Sequence, residues 1–380
     1  MNLELTAEHR EIREMVRKFA EEEIAPVAAE HDRTREFPIE SVRKCAELNL
    51  MGAMVAERYG GSGLDTVSYT LIIEELSRAC ASTGVIVSVN NSLFCHPVEK
   101  FGSEDQKRRF LEPHAKGEKI GCFCLSEPEA GSDAGNQRTT AARRGDVYVL
   151  NGTKNFITNG VAADTALVFA TTDRAKKHHG ISAFLIEKGT PGFRLGKDEV
   201  KLGITCSGSV EMVFEDCPVP AANRLGEEGM GFKIAMNTLD GGRIGIAAQA
   251  VGIARACLEE STHYARERQA FGKPISEFQA IQFMLADMAT EVDAARLLTH
   301  RAAWTKDQGG RFSLEASQAK LFASEVAMRS AVKAVQIFGG YGYMNDYPVE
   351  RYFRDAKITE IYEGTSEIQR LVIASSLLKD

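Results

Sequence analysis

From Thr6 onward the apolar residues Ile12, Met15, Val16 and Phe19 recur by threes and fours, the spacing of one helix face, and Pro26 predicts the end of that helix. Residues 69–78 and 103–116 also suit helices, the second with Ser103 as a cap ahead of a charged first turn. Residues 1–118 therefore read as an N-terminal α-helical domain. After Gly117 the texture changes to β-branched and aromatic runs at 147–150, 166–171, 181–186 and 209–214. Asn151-Gly152 and Asn159-Gly160 fall between such runs and predict chain reversals, because Asn and Gly adopt a left-handed backbone most readily. Residues 119–222 read as a middle β domain, closed by Pro218 and Pro220. Beyond it the helical period returns over 231–267, 276–304, 314–338 and 367–378, so residues 223–380 read as a C-terminal four-helix domain with bundle geometry. The fold class is mainly α with a central β domain, and the order of the blocks argues against an alternating βαβ sheet.

A chain of 380 residues, 44% hydrophobic and 26% charged, is long enough for two or three globular domains. Its formal net charge of -7 leaves no cationic excess for nucleic acid or an anionic membrane surface. No run approaches the roughly 18 apolar residues of a membrane-spanning helix. The Glu-rich start of the chain fits neither a secretory signal nor a transit peptide. The expected location is the cytoplasm, or the mitochondrial matrix after removal of a leader. The eight cysteines show no CxxC spacing and read as reduced thiols. Cys122 and Cys124 would share one strand face with no His at zinc-ligand spacing, and His178-His179 reads as a polar turn, so no metal site is expected.

No three glycines have GxGxxG spacing, and the P-loop, HExxH and GxSxG patterns are absent. Nicotinamide, nucleotide-triphosphate, zinc-protease and serine-hydrolase readings lose their support. Four segments rich in glycine and small polar residues remain. CLSEPEAGSD at 124–133 either presents amides and a hydroxyl to an anion or ring, or is an ordinary turn. KNFITNG at 154–160 reads as a strand. RERQAFGKP at 266–274 joins two helices, its arginines either gripping pyrophosphate or simply solvated. The fourth is the pair QIFGGYG at 336–342 and IYEGTSEIQ at 361–369. Ser366 with Gln369 predicts a capping box, which starts the last helix just after Ser366 and leaves Glu363 in the preceding loop. Gly364 beside that carboxylate lets a ligand approach the main chain.

Taken in order, LSEPEAGSDAG, NFITNG, FGKPISEFQ, FGGYGY and IYEGTSEIQR resemble the acyl-CoA dehydrogenase family, over residues 5–378. The resemblance implies an N-terminal α-helical domain, a middle β-barrel-like domain and a C-terminal four-helix bundle. It implies FAD lined by Phe123, Leu125, Ser126, Ser132, Phe156, Ile157, Thr158, Thr365 and Glu367 of one subunit. Arg268, Phe271, Gln279, Gln336, Gly339 and Gly340 would reach the adenine and pyrophosphate of the neighbour's FAD, in a homotetramer built as a dimer of dimers. Ser132, Asp240, Arg243 and Gly364 would contact the acyl-CoA, with Arg243 toward its nucleotide end. Glu363 falls on the catalytic base. Some relatives carry the base one residue before that arginine, where this chain has Gly242. The stretches VNNSL at 89–93 and LDGGRIGIAAQ at 239–249 are most similar to the short-chain, butyryl-CoA branch. Two departures stand out: Phe156 where many members have Trp, which loses an indole donor, and Ala270 where several have a hydroxyl.

The implied reaction is α,β-dehydrogenation of a short-chain acyl-CoA to the trans-2-enoyl-CoA, with electrons passed to an electron-transfer flavoprotein. A free carboxylate near pKa 4.3 is too weak a base for Cα, so burial must raise it. Two donors on the thioester oxygen, by the resemblance the Glu363 N–H and a flavin ribityl hydroxyl, would stabilise the enolate. An acyl-CoA oxidase that uses oxygen, and a flavin- or CoA-binding module without turnover, remain as alternatives.

Overall fold

The structure, a computed structural model, describes residues 4–378. Its first helices are α1 (Ala7–Phe19), α2 (Ala25–Thr34), α3 (Ile39–Glu47), α4 (Thr66–Ala79), α5 (Ala81–Ser88), α6 (His96–Phe101), α7 (Glu104–Gln106) and α8 (Glu112–Ala115). Thr6 caps α1, accepting a hydrogen bond from the His9 N–H at 3.1 Å, and Ser103 forms a capping box with Gln106. Pro26 does not end the first helix. It sits in the first turn of α2, directly after a π-helical stretch, Ala20–Ile24, that keeps the rod continuous to a left-handed Arg35. The same device recurs twice: Val89–Cys95 precedes Pro97, and Lys107–Leu111 precedes Pro113. A proline cannot donate to the carbonyl four residues back and its ring presses on it, and a widened turn accommodates both defects.

The middle of the chain forms β1 (Gly121–Cys124), β2 (Thr140–Arg144), β3 (Val147–Ile157), β4 (Thr165–Thr171), β5 (Ile181–Glu187), β6 (Phe193–Asp198), β7 (Val210–Pro220) and β8 (Arg224–Leu225). They build one sheet in the order β6-β7-β3-β2-β4-β5-β8, with β1 parallel to β4. The sheet thus extends to Leu225, three residues past the predicted boundary. Strand β4 is buried throughout because it has apolar partners on both sides. Leu167 and Phe169 pack toward Phe94, Phe110 and Ile234, while Ala166 and Val168 pack toward Tyr148, Met212 and Phe214.

Asn151-Gly152 does not turn the chain. Both residues lie inside β3, at a bulge against β7, and the Asn151 side chain accepts from the Asp216 N–H at 2.8 Å. Asn159 does turn it, at φ 67°, and is buried with its amide donating to the Ile86 and Gly121 carbonyls.

The rest is helical: α9 (Gly231–Glu267), a two-stranded hairpin of β9 (Gln269–Ala270) and β10 (Lys273–Pro274), then α10 (Gln279–Asp307), α11 (Ser313–Phe338), α12 (Val349–Thr359) and α13 (Ser366–Leu377). Helix α12 adds a fifth member to the four expected. Helix α9 is the spine, 37 residues packed against α4, α10, α11 and α12. Among the described residues no helix is long and apolar enough to cross a membrane, and all eight cysteines are free and buried.

Candidate active site

Glu363 sits in the bend between α12 and α13 with a left-handed backbone, φ 53°, followed by Gly364 at φ 97°. A left-handed glutamate costs roughly 1–2 kcal/mol, so the bend has to be held by its surroundings. Thr365, not Ser366, caps α13, its hydroxyl accepting from the Ile368 N–H at 3.3 Å. Gln369 is thereby released from the expected capping box, and its amide donates instead to the Gly364 carbonyl at 2.8 Å and the Glu363 carbonyl at 3.3 Å. Lys320, fully buried on α11, donates to the same Gly364 carbonyl at 2.7 Å.

The bend presses the Glu363 carboxylate onto α9. A Cβ built on Gly242 would stand 2.0 Å from Glu363 Oε2 and 2.8 Å from Leu93. Oε2 is enclosed and has no hydrogen-bond partner. Burial pushes the carboxyl up to about 7, against the opposing pull of Lys320 and then Arg243. An enclosed, unpaired carboxylate of this kind is a poised proton acceptor.

Arg243 is 6% exposed and donates to Asp240 Oδ1 at 2.6 Å, while Asp240 Oδ2 accepts from the Ser313 hydroxyl at 2.5 Å. Burial lowers the Arg243 pKa, and the charges of Asp240 and Glu363 raise it. Its guanidinium lies within the helix layer, where its charge and that of Glu363 act on each other.

Further along α9 two buried polar contacts pack against the helix. The Tyr69 hydroxyl bonds the Ser88 hydroxyl at 2.8 Å against Gly245. Tyr362 donates to the Gln249 side-chain carbonyl, and the Gln249 amide donates to the Ala81 carbonyl at 3.0 Å.

The candidate flavin face is built on β1 and β3. A second bulge in β3, between Lys154 and Ile157, throws Phe156 outward at φ 60°, 64% exposed. Phe123, Ser126 and Thr158 are partly open and Ser132 is exposed, but Leu125 and Ile157 point into the core. For those two, only the main chain is left to touch a ligand. The loop carrying Ser126 and Ser132 is braced by Lys154, a wholly buried residue that sequence reasoning passed over. Its ammonium donates to the Leu125 carbonyl at 3.1 Å, Glu127 Oε1 at 2.8 Å and Gln137 Oε1 at 2.7 Å. Thr365 and Glu367 begin α13, with Glu367 exposed.

Arg268, Phe271, Gln279, Gln336, Gly339 and Gly340 stand on a different surface, all exposed. Arg268, Gly339 and Gly340 line a cavity of about 560 Å³ together with Tyr264, Phe338 and Tyr341. Tyr264 stacks on Phe338 with centroids 4.0 Å apart, and the Arg268 guanidinium lies 5.4 Å over the Tyr341 ring. Neither tyrosine was expected, although Tyr341 falls inside the FGGYGY phrase. Cβ atoms on Gly339 or Gly340 would meet nothing within 4 Å, so bare backbone faces the opening. Phe271 and Gly272 form the two-residue tip of the β9–β10 hairpin, both at positive φ, and Phe271 is 97% exposed. No hydrogen bond joins this surface to the β1–β3 face among the described residues. The exposed aromatics, open glycine backbone and cationic cavity suit an aromatic, phosphate-bearing cofactor. Nothing among the described residues groups into a metal site.

Comparison with known proteins gives one answer along the whole chain. The acyl-CoA dehydrogenase N-terminal, middle and C-terminal domain models match residues 6–118, 122–217 and 229–378. The chain is 55% identical over 378 residues to the mitochondrial short-chain specific acyl-CoA dehydrogenase of Mus musculus, covering all of this chain and 92% of that one. Butyryl-CoA dehydrogenase from Megasphaera elsdenii superposes with a TM-score of 0.98 at 49% identity, with both chains fully covered. A solved structure described as the electron transferring flavoprotein of Acidaminococcus fermentans contains a chain that superposes at TM-score 0.99 and 52% identity, again over both full lengths. A carboxylate enclosed against a glycine of the central helix, beneath matches of this extent, leaves one conclusion: the chain belongs to the acyl-CoA dehydrogenase family.

Proposed function

We propose that the protein oxidises the Cα–Cβ bond of a short-chain acyl-CoA to the trans-2-enoyl-CoA, with Glu363 taking the Cα proton and FAD, when bound, accepting the Cβ hydride. The observation that carries this reading is Glu363 Oε2, enclosed, unpaired and raised to about 7. At neutral pH such a group is divided between a form that accepts the proton and a form that has it, the condition for general-base work. Gly242 supplies the room: any side chain there would occupy the position of the carboxylate. The Glu363 N–H, which makes no main-chain hydrogen bond, is the donor we assign to the thioester oxygen. A donor of that kind is worth on the order of 3 kcal/mol in the transition state.

The short-chain preference is supported by the closed floor. The Tyr69–Ser88 and Tyr362–Gln249 contacts fill the space one and two turns along α9 from Gly242. A longer acyl chain would have to break buried polar contacts to extend there. The names of the similar short-chain and butyryl-CoA dehydrogenases agree with this choice.

Phe123, Ser126, Ser132, Phe156, Thr158, Thr365 and Glu367 are the residues we assign to the flavin, with the main chain of Leu125 and Ile157. Arg268, Phe271, Gln279, Gln336, Gly339 and Gly340 are assigned to the neighbour's flavin, and Asp240, Arg243, Ser132 and Gly364 to the acyl-CoA. Gly242 and Arg268 lie about seven turns apart on one helix, roughly 39 Å. That separation sets the Glu363 bend and the Arg268 surface far apart on one chain and supports a cofactor shared between two chains, within a homotetramer built as a dimer of dimers. An electron-transfer flavoprotein is the proposed acceptor, in line with the Acidaminococcus structure, and the free thiols fit a reducing cytoplasm.

Anaerobic addition of butyryl-CoA to the holoenzyme tests the reading. Bleaching of the flavin absorbance is expected in the wild type and not in Glu363→Gln. Equal bleaching in both would remove Glu363 from the role.

A further inference from the structure

We propose that Lys320 is a positioning residue of the dehydrogenation: from the middle of α11 its ammonium grips the Gly364 carbonyl and fixes the left-handed bend that aims Glu363 at Gly242. The inference rests on Glu363 being the base.

Lys320 is 0% exposed and stands among the small buried residues Ala316, Ala319 and Ala323 of α11. Among the described residues its ammonium makes one hydrogen bond, to the Gly364 carbonyl at 2.7 Å, and no direct ion pair. A buried cation without a paired anion is expensive, and an apolar side chain would fill the same place at lower cost. Stability of α11 therefore does not explain a lysine here, whereas control of the bend does. The Gly364 carbonyl receives two donors from two helices, Lys320 of α11 and Gln369 of α13. Turning the Gly364–Thr365 peptide to relax the strain at Glu363 would break both bonds at once.

The second effect is electrostatic. The groups that act on Glu363 are Lys320 from α11 and Arg243 from α9. Its charge in turn acts on Tyr69 of α4 and on Tyr362 beside it. Glu360 and Glu367 also act on Lys320. Burial draws Lys320 down to about 8, and Glu363 is the largest influence holding it up. Lys320 and Arg243 together keep the enclosed carboxylate from rising further. The bend and the charge thus have one source: the residue that fixes the base's position also keeps it ionisable near neutrality.

The test uses the flavin-loaded enzyme with butyryl-CoA as probe, comparing wild type with Lys320→Met, which removes donor and charge, and Lys320→Gln, which keeps a donor and removes the charge. Lys320→Met is expected to retain flavin and to lose about 100-fold in kcat with KM little changed. The acid limb of its kcat/KM profile should move up by about 1 pH unit. Lys320→Gln is expected to show the same displacement of the acid limb with a smaller loss in kcat. A wild-type kcat and acid limb in both variants would overturn the proposal. So would the loss of folded, flavin-bound protein in both, which would make Lys320 a stability residue alone. Glu363→Gln is measured in parallel. If it is inactive while the lysine variants are normal, only the Lys320 inference falls; if it remains active, the base assignment falls first.

Discussion

Glu363 Oε2 occupies the position that a side chain on Gly242 would claim, 2.0 Å from the ideal Cβ. The carboxylate and the spine helix are therefore fitted to each other at a place where one carbon decides the geometry. Gly242→Ala is expected to leave flavin content unchanged and lower kcat with butyryl-CoA by on the order of 100-fold, because the carboxylate must swing away from the substrate carbon. Turnover and flavin stoichiometry measured on the same preparation check this.

The raised pKa of Glu363 sets the sign of two pH effects. A carboxylate that takes the Cα proton works only when ionised, so with Glu363 in the proposed role kcat/KM should rise with pH and level off above about 7. Stability moves the other way. The folded state keeps a proton that the unfolded chain gives up near 4.5, so folding loses stability as pH climbs from about 4.5 to about 7. Glu363→Gln removes that loss. Denaturant melts should show the variant gaining on wild type by on the order of 3 kcal/mol at pH 8 relative to pH 4. No gain would mean the carboxyl is not held protonated by burial.

Lys154 ties the segment before Phe156 to the loop that carries Ser126 and Ser132. Its buried ion pair with Glu127 spans 2.8 Å. Removing one partner leaves the other buried and unpaired, so Lys154→Met is expected to cost about 3–5 kcal/mol. The same variant should release flavin more readily. Chemical denaturation and flavin retention after gel filtration check both outcomes.

Phe271 is 97% exposed on a strained hairpin tip, so it contributes little to the fold of a single chain. Phe271→Asn, which tolerates the left-handed backbone, is expected to change the stability of the isolated chain by less than about 0.5 kcal/mol. It should nevertheless lower flavin retention. Equal flavin content in the two proteins would show that the ring touches no cofactor.

The spine helix was legible to the residue, because 231–267 runs as one unbroken pattern between Gly231 and the hairpin. The bend that encloses Glu363 was legible as well, since IYEGTSEIQR places that carboxylate in the loop just ahead of the last helix. What escaped the sequence depended on neighbours. Pro26 reads as a stop unless one knows that the preceding turn has widened. Asn151-Gly152 reads as a reversal unless β7 is already in place to receive the bulge. Thr365 and Ser366 are equally good caps by composition, and Gln369 chose between them by turning back to the strained carbonyls. Lys154 and Lys320 look like surface lysines, since the residue type is almost never fully buried, and only packing shows both inside.

The distance along the spine helix has a genetic consequence. If the base of each catalytic unit comes from one chain and its Arg268 from the other, two defective genes can repair one another. Co-expressed Glu363→Gln and Arg268→Ala chains would assemble mixed pairs in which one of the two units holds both native residues and the other holds neither. Each defect expressed alone would be silent in every unit. Partial restoration of turnover in the mixture, from parents that have none, would be the signature of a centre divided between polypeptides.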